Sequence, residues 1–129
     1  MRENIGLFKA KRLDNGEEVQ GYYWTNELGN HFIRVVKDKD GNFINAIDFE
    51  IDPETLCEFT GLTDNNGNKI WENNIVKHCA ENKPALVEFV KGQFSIAKYG
   101  YWLQSSDCFE VIGNKFDNPE LLEVESENN

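Results

Sequence analysis

Short apolar runs recur along this chain at intervals of roughly 8–12 residues, and turn chemistry closes them. The turns are marked by Asn15-Gly16, Asp40-Gly41, Asn66-Gly67, Lys91-Gly92, Tyr99-Gly100 and Gly113-Asn114. Glycine takes positive φ without steric cost, and Asn and Asp tolerate it while bonding their own backbone. Spacing this short leaves no room for the long helical crossover that joins parallel strands. No window sustains a 3.6-residue apolar period, so helix is a minor component. The chain is therefore expected to be mainly β, with little helix and no βαβ units.

Taken in order, Ile5, Leu7 and Phe8 precede a basic cluster. Val19 to Trp24 and His31 to Val36 read as strands, rich in β-branched and aromatic residues. Lys39-Asp40-Gly41-Asn42 is a hairpin signal, and Phe43 to Ile51 pairs back across it. Asp52-Pro53-Glu54-Thr55 ends that run: Asp52 caps a short turn or one helical turn with Pro53 at its first position. The boundary between a β-rich N-terminal subdomain, residues 1–55, and a second subdomain, residues 56–124, is placed here. The second half carries strands at Leu56–Phe59, Lys69–Trp71, Ile75–His78, Ala85–Val90, Phe94–Ala97 and Phe109–Ile112. Strands so spaced suit a small barrel or sandwich. Lys91-Gly92-Gln93 joins two of them as a hairpin, and Gly100 to Asp107 reads as a loop bearing large aromatics. Asn118 and Pro119 start a short helix. Residues 125–129 form a frayed acidic tail.

The 129 residues suffice for one ordinary domain or two small cooperating ones. The net charge of -10 disfavours binding nucleic acid over a broad face, since phosphate backbones seek basic surfaces. The charge is uneven: Arg2, Lys9, Lys11 and Arg12 face only Glu3 near the start, whereas Asp117, Glu120, Glu123, Glu125 and Glu127 face no base near the end. No apolar run approaches the roughly 20 residues of a membrane helix. The start, Met-Arg-Glu-Asn-Ile-Gly, lacks the apolar core of a signal peptide. Three widely spaced cysteines, Cys57, Cys79 and Cys108, read as reduced thiols of a cytoplasmic protein, with Cys79 or Cys108 a small buried hydrophobe.

Catalytic and metal chemistry find little footing. Asp38-Lys-Asp40-Gly-Asn42 and Asp64-Asn-Asn66-Gly-Asn68 place oxygens at alternate positions, as a calcium loop begins. Such a loop needs Gly sixth and a bidentate Glu twelfth. Those places hold Phe43 and Phe49, or Lys69 and Ile75, so plain turns are the reading. His78 and Cys79 have no paired ligands at zinc spacing. Ser95, Ser105 and Ser106 lack a nucleophile elbow. No glycine-rich loop opens a helix, so no phosphate cradle is expected. The expectation is a non-enzyme with no cofactor and no metal. Two aromatic sets stand out. In a strand, Tyr22 and Trp24 share one face and Tyr23 the other. Tyr99, Tyr101 and Trp102 offer a protein-recognition platform, because Tyr and Trp dominate binding hot spots.

Two segments resemble a known family. Phe59-Thr-Gly-Leu-Thr-Asp-Asn-Asn-Gly-Asn-Lys-Ile-Trp-Glu-Asn-Asn-Ile-Val76 resembles the signature of the YopX-like proteins of phages and prophages, and Val111-Ile-Gly-Asn-Lys-Phe-Asp-Asn-Pro-Glu-Leu-Leu122 resembles that family's C-terminal signature. Lys9 to Tyr23 and Ile51 to Thr55 look like one branch of it. The family usually has Glu-Gly-Asp-Ile where this chain has Glu72-Asn73-Asn74-Ile75. Asn is the best replacement for Gly at positive φ, and Asn74 keeps a side-chain acceptor, so the turn is expected to survive. The resemblance implies a β-rich N-terminal part, a C-terminal SH3-like small barrel, a phage or prophage origin and a cytoplasmic setting. It supplies no activity. The functional expectation is an accessory protein acting through protein–protein contacts. A homo-oligomer is plausible for an aromatic-rich β protein with open edges. The alternative is a nucleic-acid-associated small barrel or an acidic DNA mimic.

Overall fold

A computed structural model of the chain describes residues 6–79, 83–90, 92–96, 101–102 and 108–122, the side chains of 101 and 102 excepted. The fold is mainly β, as expected. Its strands are β1 (Leu7–Lys11), β2 (Glu18–Thr25), β3 (His31–Lys37), β4 (Phe43–Glu50), β5 (Cys57–Thr63), β6 (Lys69–Trp71), β7 (Asn74–His78), β8 (Pro84–Val90), β9 (Gln93–Ile96), β10 (Tyr101–Trp102) and β11 (Phe109–Asn114). Every recorded pairing is antiparallel. One sheet runs β4-β3-β2-β1-β5-β6 and the other β10-β9-β8-β7-β11. Two compact units divide between Phe59 and Thr60, inside β5.

In the first unit, β1 to β4 form a meander, with β5 beside β1. Alternation sends Ala10, Ile33 and Ile51 to one face, where each is buried and Phe8, Val19, Tyr23, Val35 and Leu56 pack around them. Gly21, on β2, lies so close to β3 that a Cβ there would sit 2.1 Å from the carbonyl oxygen of Arg34. Only glycine permits that approach. Between β4 and β5 runs the expected cap: Asp52 accepts from the Glu54 N–H at 3.0 Å and opens a 3-10 turn, Pro53–Thr55.

The second unit buries Ile70, Val76, Ala85, Val87, Ile96 and Phe109, with Leu62, Phe94 and Val111 against them. β8 and β9 pair as a hairpin, Val90 facing Gln93. Between β6 and β7, Asn73 takes φ 71°, and Asn74 accepts the Trp71 N–H at 2.7 Å. The Asn pair thus does what Gly-Asp would do. Asn73 also donates to Val87 and accepts from Lys115, tying the turn to its neighbours. The chain after β11 is held by Asn114, whose side-chain oxygen accepts from Phe116 and Asp117, and closes in one helical turn at 120–122.

One turn recurs three times: Asn26-Glu-Leu-Gly-Asn30, Asp38-Lys-Asp-Gly-Asn42 and Asp64-Asn-Asn-Gly-Asn68. In each, the first side chain accepts from the N–H groups two and four residues on. In each, the first backbone N–H donates to the fifth carbonyl, and the glycine N–H to the first. Gly29, Gly41 and Gly67 take φ of 82°, 85° and 84°. The Asp38 and Asp64 carboxyls, read as calcium-like in sequence, are therefore engaged by backbone donors. Among the described residues no group of three His, Cys, Asp or Glu is placed to hold a metal.

The cysteines depart from expectation. Cys79 and Cys108 form a disulfide, with Cα atoms 5.6 Å apart, and both residues are exposed. Cys57 is buried and lies outside the disulfide, its thiol donating to the Thr55 carbonyl at 3.4 Å. Wide spacing in sequence hid the pairing, because β7 and β11 become neighbours only through the sheet: His78 and Phe109 face each other, and the two cysteines continue that ladder.

Candidate interaction surface

The outward face of the first unit's meander gathers an aromatic and charged cluster. Tyr22 and Trp24 on β2 lie opposite Arg34 and Phe32 on β3, and Arg34 and Phe32 lie opposite Asp48 and Glu50 on β4. Trp24 and Phe32 stack with ring centres 4.6 Å apart and planes 20° apart. The Arg34 guanidinium sits 5.2 Å from the centre of the Trp24 ring. It also grips Asp48 with two bonds, Nε to Oδ1 at 2.8 Å and Nη2 to Oδ2 at 3.0 Å. The Trp24 indole N–H donates to the same Oδ1 at 3.1 Å. These donors, Arg34 above all, hold the Asp48 carboxyl below the usual carboxylate range, partial burial opposing them. Tyr22 is 46% exposed beside this cluster.

The other face of β2 behaves differently. Tyr23 packs on Phe8, stacks on His31, and its hydroxyl lies 2.6 Å from His31 Nδ1. The sequence-level division of Tyr22 and Trp24 from Tyr23 is thus reproduced, with Tyr23 in the core layer. β4 ends the strand order and carries exposed apolar residues of its own: Phe43 is 80% exposed, and Ile44 and Ile47 are exposed as well, Ile47 facing Val35 on the opposite side of the sheet from Arg34 and Asp48. Lys37 lies over the Phe43 ring at 4.9 Å.

Of the aromatic platform expected from sequence, Tyr99 lies outside the described residues. Tyr101 and Trp102 form β10, paired with Ile96 and Ser95 of β9, so these two belong to a strand and not to a loop. Phe32, Arg34 and Asp48 were not singled out in the sequence. Their signal was register: only the β2–β3–β4 pairing sets Arg34 between Tyr22 and Asp48. Of the early basic cluster, Arg2 lies outside the described residues, and two members are paired with carboxylates. Lys9 pairs with Glu18 at 3.2 Å, and Arg12 pairs with Asp14 at 2.6 Å while its guanidinium covers the Phe49 ring.

Among the described residues no helix is long and apolar enough to cross a membrane. No curated protein matches the chain significantly. Among solved structures it is similar to protein EF1440 from Enterococcus faecalis, a crystal structure 22% identical, with a TM-score of 0.57 over 89% of this chain and 96% of that one. That likeness shows a shared fold. The model of the YopX protein family matches residues 9–123, taking in both signature segments and the meander that bears the aromatic cluster. The chain belongs to the YopX protein family.

Proposed function

We propose that this chain is a phage- or prophage-type accessory protein, non-catalytic, that works in a host cytoplasm by binding another protein. The observation that carries the reading is the outward face of β2–β4. Arg34 and Trp24 are bonded to Asp48, Phe32 stacks on Trp24, and Tyr22 is exposed beside them. Tyr, Trp and Arg dominate the centres of protein interfaces, and a side chain already fixed loses little entropy on docking. The SH3-like barrel of the second unit and assembly with further copies of the chain belong to this same reading.

Co-purification from host cells with a tagged chain tests it. A specific partner is expected with the parent protein and is lost in Tyr22→Ala/Trp24→Ala. Equal capture by parent and Tyr22→Ala/Trp24→Ala overturns the proposed surface. Association with nucleic acid is the weaker reading, since Lys9 and Arg12 are already paired with carboxylates. Salt-dependent shifts of DNA or RNA at low ionic strength would revive it.

A further inference from the structure

We propose that the Cys79–Cys108 disulfide is a thiol–disulfide exchange site, opened by an attacking thiolate in the folded protein. Three observations carry this, and none depends on the contact surface above. First, both cysteines are exposed, which leaves the bond open to a reductant, whereas structural disulfides are commonly sheltered. Second, the bond is not what holds β7 to β11. Val111 faces Val76 and Glu110 faces Lys77 in the ladder, the Cys79 N–H donates to the Cys108 carbonyl at 3.0 Å, and Phe109 is buried in the core. Opening the bond therefore leaves the strands in place and removes only the covalent tie across residues 80–107. Third, the two sulfurs are chemically unequal. The Asn65 side-chain amide points a donor at Cys79 Sγ from 3.8 Å, and Asn65 is itself anchored by its N–H on the Phe109 carbonyl at 3.1 Å.

A donor on one sulfur stabilises the thiolate that leaves from it, and the better leaving group directs attack to the other sulfur. The incoming thiolate bonds to Cys108 Sγ. The Sγ–Sγ bond breaks, and its electron pair departs on Cys79 Sγ, which then takes a proton from water. A second thiol attacks the mixed disulfide, releases Cys108 as a thiol after protonation, and leaves as the reductant's own disulfide. The protein gains two electrons and two protons, and two thiols of the reductant are oxidised to one disulfide. Glutathione and a protein-borne dithiol share this chemistry.

The test uses the oxidised full chain in native buffer, treated in parallel with glutathione and with a thioredoxin-class dithiol, then alkylated and mapped by peptide mass. With glutathione, the expected product carries glutathione on Cys108 and the alkyl group on Cys79. With the dithiol, both cysteines are alkylated. Cys57, buried, stays unmodified in either arm, and the near-ultraviolet circular dichroism persists. Asn65→Ala is expected to lower the Cys108-to-Cys79 preference roughly fivefold, the worth of about one hydrogen bond. Reaction with one reductant alone identifies the source and supports the site. A bond that opens only in denaturant overturns it, as does glutathione found chiefly on Cys79 of the parent protein.

Discussion

The turns at 38–42 and 64–68 share sequence pattern, backbone bonds and glycine conformation, yet they stand in different surroundings. Asp38 is exposed and serves only its own turn, through the N–H groups of Asp40 and Asn42. Asp64 is 7% exposed and does more. Its Oδ1 serves Asn66 and Asn68, while Oδ2 accepts the Val111 N–H at 2.9 Å from β11. The next residue, Asn65, donates its backbone N–H to the Phe109 carbonyl. One turn merely reverses the chain. The other reverses it and fastens β11 to the unit's core. Burial by itself raises the Asp64 carboxyl, but the N–H groups of Val111, Asn68 and Asn66 together outweigh it, and the group sits below the usual carboxylate range.

The contrast can be broken most sharply by deletion. Asp64→Ala strands three backbone donors, and a net loss of about 3 kcal/mol or more is expected in urea unfolding. Asp38→Ala opens its donors to water and is expected to cost about 1 kcal/mol. Amide replacement separates charge from shape. Asn26 shows that an amide oxygen can cap this turn alone, so Asp38→Asn is expected to fall within about 0.5 kcal/mol of the parent. Asp64→Asn turns an NH2 group toward the Val111 N–H and is expected to cost about 2 kcal/mol.

The same pair of variants fixes the pH dependence. A carboxylate held below its unfolded value, about 3.9, stabilises the fold above that value and loses the contribution as pH falls through the lower folded value. Denaturant midpoints measured from neutral pH down through the acid range should therefore fall less steeply in Asp64→Asn than in the parent. An unchanged slope would show that Asp64 contributes nothing to acid sensitivity.

The smallest expected contrast is between the glycines. No atom lies within 4 Å of a Cβ built on Gly41 or Gly67, and their φ angles differ by one degree. Gly41→Ala and Gly67→Ala should each cost about 1 kcal/mol, from backbone conformation alone. A much larger loss at Gly67 would mean that the buried turn depends on more than the Asp64 side chain.

Much of this molecule was legible in its residues. Asp52 with Pro53, the hairpin around Gly92, positive φ at Asn73 and the acceptor role of Asn74 are local: their partners lie within a few positions, so the chain's own stereochemistry settles them. The strand parity that separates Tyr22 and Trp24 from Tyr23 is equally local. The interaction surface was legible only by half. Tyr22 and Trp24 could be placed on one face, but Arg34 and Asp48 join them through strand register, which no single strand encodes. The Asn/Asp-x-x-Gly-Asn repeat was visible in the letters, and its meaning appears only when the side-chain bonds are seen to be identical.

What the chain determined by itself, then, is where it turns, which residues extend between turns and which side chains share a face. Those follow from φ preferences and from acceptors two to four residues from their donors. Tertiary structure decided which of two equivalent turns became an anchor, which carboxylate gripped Arg34 and which cysteines met. Val111 lies 47 positions from Asp64, and Cys108 lies 29 from Cys79. Contacts at that range depend on which strands pair and on what the paired sheet removes from water, and these are properties of the assembled sheet.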